Sequence, residues 1–393
     1  MKTIADIAVL LRNGMSIRQS SGAGGLPISR IETIADGTID PARVGFASLA
    51  ESECTNWLLK DGDILISHIN STKHLGKCAI YEGIPQMLVH GMNLLVLRCD
   101  QVTAAPRYVY RILSSSGFQR QLPRITKHSV NQSSFNISNF KRLHIPLPPL
   151  AEQKRIAGIL DAADALRAKR REAIAQLDTL LQSTFLDMFG DPVTNPMGWE
   201  QSSLGKLCDV GSSKRVFVND LVEEGVPFYR GTEVGLLGEG EAVSPSLFIT
   251  HDHYEQLKRH SGVPRPGDLL LPSICHDGRI FIVRDNKPFY FKDGRVLWIK
   301  SGESDINSAF LRYHLKAVFF SEYSKIASGT TFAELKIFAL KNLVVHVPPR
   351  DEQNRFTNFV ESIERQKARM RAHLAELDAL FASLQSRAFN GEL

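Results

Sequence analysis

One long stretch of the sequence combines many cationic side chains with no acidic ones. Between Gln101 and Ala151 there is no Asp or Glu, whereas the basic residues inside are Arg107, Arg111, Arg120, Arg124, Lys127, Lys141 and Arg142. Guanidinium and ammonium groups without neighbouring carboxylates suit a polyanionic ligand, to which they offer ion pairs and hydrogen bonds. The alternative is an ordinary solvated face whose charges have no ligand.

The sequence lacks the motifs of enzymes that act on such a ligand. Neither Pro148-Pro149 nor Pro348-Pro349 has the preceding Asn or Asp and the following aromatic residue that hold a flipped adenine in a methyltransferase. A glycine-rich nucleotide loop is also missing. Glu334-Leu335-Lys336 resembles the end of a nuclease motif but has no paired upstream Asp. His251-Asp252-His253 has no third ligand nearby, so neither a metal nor a cofactor is predicted.

Composition and charge limit the class of protein. The chain has 393 residues, 43% hydrophobic and 23% charged, which is enough for two globular domains and additional helices. No apolar run approaches the roughly 20 residues of a membrane span, and the start of the chain lacks the apolar core of a signal peptide. The five scattered cysteines indicate reduced thiols, so we expect a cytoplasmic protein.

The basic excess lies in the first part of the chain. Residues 1–144 contain 16 Lys and Arg against 10 Asp and Glu, whereas residues 191–347 contain 18 against 19. Charge therefore supports polyanion binding by the first part only, and the second part needs another argument.

A repeat at an offset of 200 residues organises the chain. Residues 148–155 (Pro-Pro-Leu-Ala-Glu-Gln-Lys-Arg) recur at residues 348–355 as Pro-Pro-Arg-Asp-Glu-Gln-Asn-Arg. Each copy precedes a long run in which apolar residues recur every three or four positions, the pattern of an amphipathic helix. This phase is interrupted at Arg167 and Arg170 in the first run and at Lys367, which aligns with Arg167, in the second.

Two long helices with the same apolar stripe predict a coiled coil. At about 1.5 Å per residue, a helix of roughly 38 residues is on the order of 57 Å long. The alternative is that each helix packs only on its own globular domain.

The segments before the two helices also match each other. Gly62-Asp63-Ile64-Leu65 corresponds to Gly267-Asp268-Leu269-Leu270, and residues 108–113 correspond to 310–315, whereas the loops between them differ. This indicates two copies of one α+β scaffold with different targets. The predicted organisation is a domain over 1–147, a helix over 148–190, a second domain over 191–347 and a second helix over 348–393.

Local patterns in the first domain predict its elements. They indicate a short helix over residues 3–11, short strands over 27–34, 63–68, 78–81 and 93–98, a helix over 105–114, and a polar loop over 126–134.

These features together resemble the specificity (S) subunits of type I restriction-modification enzymes. The resemblance covers essentially the whole chain and rests on the doubled Pro-Pro-x-x-Glu-Gln-x-Arg helix, the paired Gly-Asp turns and the Ser328-Gly329-Thr330-Thr331 loop. It implies two target-recognition domains that each read half of a bipartite DNA sequence, with two antiparallel helices as the spacer. Catalysis would then belong to partner subunits.

The resemblance also implies partners. These are double-stranded DNA, two modification (methyltransferase) subunits and restriction (translocase-nuclease) subunits, with no membrane association. The alternative is a structural or inhibitory module that binds the modification subunits without reading DNA. The acid-free segment argues against that alternative.

Candidate contact residues follow from this resemblance, because Arg suits guanine and Asn or Gln suits adenine. In the first domain the predicted DNA-binding residues are His68, Asn70, Ser71, Lys73, His74, Arg124, Lys127, His128, Asn131, Gln132 and Ser133. In the second domain they are Ser273, His276, Arg279, Lys325, Ser328, Thr330 and Thr331, with Arg230 at a framework position that suits phosphate contact or support of the fold.

Docking of the partner subunits is assigned to the long helices. The predicted partner-binding residues are Glu152, Gln153, Arg155, Glu352, Gln353 and Arg355. Further charges on the same faces are Lys154, Lys169, Arg171, Arg365, Arg369 and Arg371, for which a solvated helix flank is the alternative.

Overall fold

A computed structural model describes residues 1–20, 24–129, 132–302, 304–329 and 333–393. The chain divides into two compact units. The first unit contains Met1–Arg171 and Ala372–Leu393, and the second contains Glu172–Arg371. Two long helices follow the repeated prolines: the central helix, Leu150–Phe189, with 40 residues, and the distal helix, Arg350–Asn390, with 41. Each unit contains the beginning of one long helix and the end of the other.

The first unit is built on a four-stranded antiparallel sheet. Its strands lie in the order Ala8–Asn13, Leu94–Cys99, Ile64–Ser67 and Cys78–Ile80. The two central strands are almost entirely buried, and the helix Pro106–Leu113 packs on them. Two strand pairs join Lys2–Thr3 with His144–Ile145 and Leu26–Ile28 with Gly45–Ala47. A small sheet contains Ile69–Asn70, Ser133–Ser134 and Lys127–His128. The short helices are Ile4–Ile7, Glu51–Cys54, Ser116–Gln119 and Ile137–Lys141.

The prediction of a helix over residues 3–11 is wrong for most of its length. The helix is confined to Ile4–Ile7, where Thr3 and Asp6 form a capping box. Ala8–Asn13 instead forms a strand paired with Leu94–Cys99. The apolar residues of this segment satisfy either pattern, and pairing with a strand more than 80 residues away decides the outcome. The predicted strand over 27–34 likewise stops at Ile28, and Glu32–Ile34 forms a 3-10 turn.

The second unit repeats this scaffold. Its main sheet has the strand order Asp209–Ser212, Val296–Lys300, Leu269–Pro272 and Phe281–Ile282, which reproduces the order of the first sheet. A second sheet contains Leu221–Val222, Phe248–Ile249, Val226–Tyr229 and Tyr290–Phe291, and Glu200–Ser203 pairs with Val344–Val347. The helices are Leu204–Leu207, Gly231–Glu239, His251–Ser261, Ser308–Ile326 and Ile337–Lys341. The predicted α+β tandem repeat is confirmed.

The repeated Gly-Asp turns have the same physical cause in both units. Gly62 and Gly267 have φ of +86° and +94°, a region that favours glycine. The buried Asp63 carboxylate accepts hydrogen bonds from the Lys60 backbone N–H, at 2.8 Å, and from the Arg98 guanidinium. Asp268 accepts in the same way from the Arg265 backbone N–H and from the Trp298 indole, both at 2.9 Å.

The glutamine of the repeated motif joins each long helix to its domain. The Gln153 Oε1 accepts from the Ala105 N–H at 2.9 Å, and its Nε2 donates to the Thr103 and Pro148 carbonyls. Gln353 repeats this contact, since its Oε1 accepts from the Asn307 N–H at 2.8 Å and its Nε2 donates to the Pro348 carbonyl. Ala105 and Asn307 are the caps of the helices Pro106–Leu113 and Ser308–Ile326.

Both amides are buried, with exposures of 0% and 2%. The prediction that Gln153 and Gln353 bind a partner subunit is therefore wrong, because their donors and acceptors are already used inside the domain. Their function is to hold the beginnings of two helices together.

The long helices run antiparallel within each unit. In the first unit Arg167 on the central helix pairs with Asp378 on the distal helix at 2.6 Å, and Arg170 donates to the His373 ring. In the second unit Lys367 pairs with Asp178 at 2.6 Å. Of the residues that interrupt the apolar stripe, Arg167 and Lys367 thus form ion pairs between the helices, and Arg170 forms a hydrogen bond.

The ends of the helices belong to the domain cores. In the first unit the core includes Ile156 and Leu160 of the central helix and Ala388 of the distal helix. In the second it includes Phe185 and Phe189 together with Phe356. Each helix therefore packs both on the other helix and on the globular domains, which combines the two alternatives that the sequence left open.

The thiol groups of the cysteines are shielded from solvent. All five cysteines are buried free thiols, and burial raises the pKa of Cys78 to about 12. No described helix combines the length and apolar character that a membrane span requires.

Replacement of Gln153 tests its role in joining the helices. The variant Gln153→Leu leaves the Ala105 N–H and the Thr103 carbonyl without partners, so we expect the free energy of unfolding to fall by about 3 kcal/mol. Urea unfolding followed by circular dichroism measures it. The neighbouring variant Glu152→Gln removes only an exposed ion pair and should leave the midpoint unchanged. Equal midpoints for Gln153→Leu and the unmodified protein would contradict this role.

A buried histidine predicts a pH dependence of stability. His314 is 1% exposed, its Nε2 lies 3.3 Å from the Val344 carbonyl oxygen, and burial lowers its pKa to about 4. The unfolded chain takes up a proton first as pH falls, because its histidine pKa is about 6.5. This stabilisation is complete above about pH 6.5 and declines towards pH 4 by about 1.4 kcal/mol per pH unit.

The variant His314→Gln isolates this contribution. Its free energy of unfolding, measured in urea between pH 7 and pH 5, should fall less steeply than that of the unmodified protein. His251→Gln, at an exposed position, should keep the original slope. Parallel slopes for His314→Gln and the unmodified protein would show that His314 is not the titrating group.

Candidate nucleic-acid interface

The loops with the predicted contact residues leave the first sheet at one end. Ser67, the last residue of its strand, pairs with Leu94, and Asn13, the last residue of the edge strand, pairs with Leu95. We call the position of Asn13, Ser67 and Leu94 the first sheet end. The antiparallel register places the segments after residues 13 and 67 at this end.

Two predicted segments that are about 60 residues apart in sequence form one small sheet there. Ser133 pairs with Asn70 on one side and with His128 on the other, in a three-stranded antiparallel arrangement. The Ser133 hydroxyl lies 2.8 Å from the Thr72 hydroxyl and 3.0 Å from the His128 Nδ1. The segment 126–134, predicted as a loop, therefore contains the two strands of a hairpin, closed by hydrogen bonds between Ser129 and Gln132.

The candidates of the first domain differ in their accessibility. Exposed residues that present donors or acceptors to solvent are Ser71, Lys73, Arg124, Lys127, His128 and Gln132. Asn70 and His74 are partly buried, and the Asn70 amide donates to the Ser67 hydroxyl at 3.0 Å. Asn131 lies outside the described residues.

Two candidates of the first domain require correction. His68 is 4% exposed, packs against Phe135 with 6.3 Å between ring centroids, and has its pKa lowered to about 4 by burial. Ser133 is 2% exposed and holds the small sheet together. Neither side chain reaches a ligand surface, so both support the neighbouring residues instead of contacting DNA.

The second domain repeats this convergence. Ser212 pairs with Leu297 and Pro272 pairs with Val296, so the segments after residues 212 and 272 leave the sheet together. We call the position of Ser212, Pro272 and Val296 the second sheet end.

A tyrosine connects the two predicted segments of the second domain. The Tyr323 hydroxyl accepts from the Cys275 N–H at 2.9 Å and lies 3.1 Å from the carbonyl oxygens of Ser273 and Ala333. The Leu335 N–H donates to the same Ser273 carbonyl at 2.7 Å, and Ser328 forms a β-bridge with Glu334. Residues 273–279, 325–329 and 333–335 therefore form one surface.

Few of the second-domain candidates remain free. His276 and Ser328 are exposed. Three basic candidates already have carboxylate partners: Arg230 with Glu233, Arg279 with Asp277, and Lys325 with Glu322. Thr330 and Thr331 lie outside the described residues.

Ser273 also requires correction as a DNA contact. It is 3% exposed, and its backbone is engaged by Arg295 and Leu335, so it supports the surface without forming it.

Sequence reasoning missed other cations at the second sheet end. Lys214 and Arg215 are exposed and follow Ser213 directly after the edge strand. Arg295 is exposed before the strand Val296–Lys300, and its guanidinium contacts Glu334, which also pairs with Lys336. These residues are recognised as neighbours of the candidate surface only when the pairing of the strands is known, and the sequence alone does not give that pairing.

The predicted docking residues on the long helices are mostly exposed. Glu152 pairs with Arg155 at 2.6 Å and Glu352 pairs with Arg355 at 2.9 Å, each at the beginning of its helix. The side chains of Lys154, Lys169, Arg365 and Arg369 are also exposed. Arg171 pairs with Asp378 instead, and Arg371 donates to the Glu239 carbonyl.

A family model described as "Type I restriction modification DNA specificity domain" matches residues 1–176 and 196–379. The chain belongs to this family. It is 31% identical over 383 residues to the putative type I restriction enzyme MjaX specificity subunit of Methanocaldococcus jannaschii, with 93% of this chain and 86% of that protein covered.

Two solved structures share the fold of this specificity-family chain. One is described as the structural basis of complex assembly and conformational transition of the type I R-M system. It matches with a TM-score of 0.55 and 18% identity, and the match covers 100% of this chain and 97% of that chain. The other is the S subunit of a type I restriction-modification system from M. genitalium, with a TM-score of 0.54, 14% identity and coverage of 99% and 95%.

Family membership defines the role of the chain. It is a type I DNA-specificity subunit with two target-recognition domains in tandem. The prediction that it is not an enzyme agrees with a family of recognition domains. Membership also implies DNA and restriction-modification subunits as partners. Within the described ranges, no cluster of three or more His, Cys, Asp or Glu side chains could hold a metal ion.

Removal of one hydroxyl tests the construction of the second surface. Tyr323→Phe leaves the Cys275 N–H without its acceptor, and we expect a loss of about 1–3 kcal/mol in the free energy of unfolding. Amide hydrogen exchange of residues 273–279 and 333–335 should become faster than in the unmodified protein. Tyr110→Phe, whose hydroxyl donates to the Gly37 carbonyl in the first unit, is the control and should leave these amides unchanged. Unchanged exchange in Tyr323→Phe would contradict the role of this hydroxyl.

Proposed function

We propose that each sheet end reads one half of a bipartite DNA target. The observation that carries this proposal is the repeated convergence of polar segments that are distant in sequence. Residues 68–74 meet residues 127–129 and 132–133 in one small sheet, and residues 273–279 meet residues 325–329 and 333–335 around Tyr323. A rigid frame below a surface of different side chains is the arrangement that allows one scaffold to read different sequences.

The first domain offers both kinds of DNA contact. Lys73, Arg124 and Lys127 are exposed cations without a carboxylate partner in the described part of the chain, and they suit phosphate oxygens. Asn70, His128 and Gln132 lie on or beside the hairpin, and their side chains suit base edges.

The second domain offers fewer free charges in the predicted loops. His276 and Ser328 are the exposed polar candidates, and Asp277 and Glu233 already neutralise Arg279 and Arg230. Arg279 and Arg230 are then better suited to shaping the surface than to binding phosphate. Lys214 and Arg215, which the sequence alone did not single out, are then the cations that would bind phosphate.

The long helices supply the proposed docking sites for two modification subunits. The Glu-Arg pair at the beginning of the central helix, Glu152 with Arg155, has the same spacing as Glu352 with Arg355 on the distal helix. Two surfaces of the same construction suit two copies of one partner, and restriction subunits would join that assembly. The lengths of the helices, 40 and 41 residues, would set the gap between the half-sites at about 3.4 Å per base pair.

Variants of the two surfaces test this assignment. Combined replacement Lys127→Ala, His128→Ala and Gln132→Ala should relax recognition of one half-site and leave the other intact. His276→Ala with Ser328→Ala should relax the other half-site. Each lost base contact is worth about 1–3 kcal/mol, so methylation of the original target should fall at least tenfold.

Long-read sequencing of methylated adenines measures both effects in cells that contain the cognate methyltransferase. Lys60→Ala is the control and should leave the motif unchanged. Lys60 is an exposed cation in the turn before the strand Ile64–Ser67, at the end of that strand opposite to the first sheet end. If both sets of replacements affect the same half-site, or if the chain confers no bipartite motif, the proposal is wrong.

A further inference from the structure

A loop in the second domain presents an exposed aromatic ring shortly after two cations. The loop contains Lys214, Arg215, Val216, Phe217 and Val218, and it follows the strand Asp209–Ser212. Phe217 is 61% exposed and Val218 is 76% exposed. Side chains exposed this far gain no stabilisation from burial, and these two lie next to the surface that is proposed to bind DNA.

The backbone on both sides of the ring is held in place. The Ser213 hydroxyl donates to the Phe291 carbonyl at 2.6 Å, and the Lys214 N–H donates to the Tyr290 hydroxyl at 2.9 Å. The Phe217 N–H donates to the Asp220 carboxylate at 2.9 Å. These contacts fix the backbone of the loop.

The alternation of buried and exposed residues in this loop also fixes its orientation. Val216 is 4% exposed and packs in the core with Phe228 and Tyr290, whereas Phe217, the next residue, projects into solvent. A ring held in this way binds a ligand without a large cost for ordering the loop.

The loop lies at the second sheet end, beside the proposed reading surface. Ser212 pairs with Leu297, and its hydroxyl contacts the Val296 carbonyl and the Gly294 N–H. Ser273, which begins the predicted reading segment, is hydrogen-bonded to Arg295 at the same strand end.

The charges around the ring favour DNA as the ligand. The Arg215 guanidinium carbon lies 5.4 Å from the centroid of Phe217, and neither Lys214 nor Arg215 has a carboxylate partner in the described ranges. Two cations that precede an exposed ring suit phosphates adjacent to a base step.

We propose that Phe217 is a further specificity-determining residue that inserts at a base step in or beside the second half-site, while Lys214 and Arg215 bind the adjacent phosphates. This inference rests on the proposed function of the second domain. The corresponding segment of the first domain, after Asn13, contains Arg18 but no aromatic residue up to Ser20. The insertion would therefore be specific to the half-site that the second domain reads.

Replacement of the ring tests this inference in the complete complex with the modification subunits. Phe217→Ala should weaken binding to the target duplex on the order of tenfold, the range for loss of one stacked base. Phe217→Trp should restore affinity, because an indole also inserts between bases. With 2-aminopurine placed at each step of the second half-site, the unmodified complex should raise fluorescence at one step, and Phe217→Ala should abolish that signal.

One control separates this effect from loss of folding or assembly, and one further variant tests the phosphate contact. Phe338→Ala removes a ring that is 79% exposed in the helix Ile337–Lys341. This helix ends beside Gly205, which precedes the strand Asp209–Ser212. The variant should bind DNA like the unmodified complex. Lys214→Ala should reduce the slope of log affinity against log salt by about one.

Different failures have different meanings. Unchanged affinity and fluorescence in Phe217→Ala would overturn the insertion while leaving the proposed function intact. Loss of binding to the modification subunits in Phe217→Ala would show that the ring contacts protein, and would also overturn it. An unmodified complex that prefers no DNA sequence would overturn the proposed function and this inference with it.

Discussion

The junction between each long helix and its domain contains one buried amide that contacts both sides. Gln153 and Gln353 each connect the first turn of a long helix, through a proline carbonyl, with the cap of a helix inside the domain. A buried amide that lost these partners would leave several backbone groups unsatisfied, which gives the contact a strong directional requirement. Together with the apolar residues that the long helices contribute to the cores, this contact holds the beginning of each long helix against its domain.

The orientation of the helices has a second determinant in their ion pairs. Arg167 aligns with Lys367 in the repeat, and Asp178 aligns with Asp378, so the cation precedes the carboxylate by the same number of residues in both helices. The pairs Arg167–Asp378 and Lys367–Asp178 can both form only when the helices run antiparallel. Charged residues in an apolar seam contribute little net stability, but they penalise other orientations and registers, as polar residues do in coiled coils.

Much of this architecture could be predicted from the sequence, because each part of the scaffold occurs twice and the two copies can be compared. The two scaffolds and the beginning of each helix after the prolines follow from spacing, whereas the antiparallel orientation of the helices was implied by the family resemblance. The function of the motif glutamine did not follow from the sequence, because a buried amide and an exposed one have the same sequence signal. The same limit applies to His68, Ser133 and Ser273, which lie in polar segments but are buried by strands that pair over long separations. The strand Ala8–Asn13 was missed for the related reason that its partner is distant in the chain.

The two domains share a scaffold but differ in the contacts that they offer to a polyanion. The first domain presents free cations around a small hairpin, in agreement with its basic excess. The second has almost no net charge, and carboxylates neutralise most of the basic residues in its predicted loops. A surface without excess charge needs contacts that do not depend on counterion release, and apolar insertion between bases is one of them. The exposed ring of Phe217 lies in that second domain, where the electrostatic contribution is smallest and an apolar contact adds most to affinity.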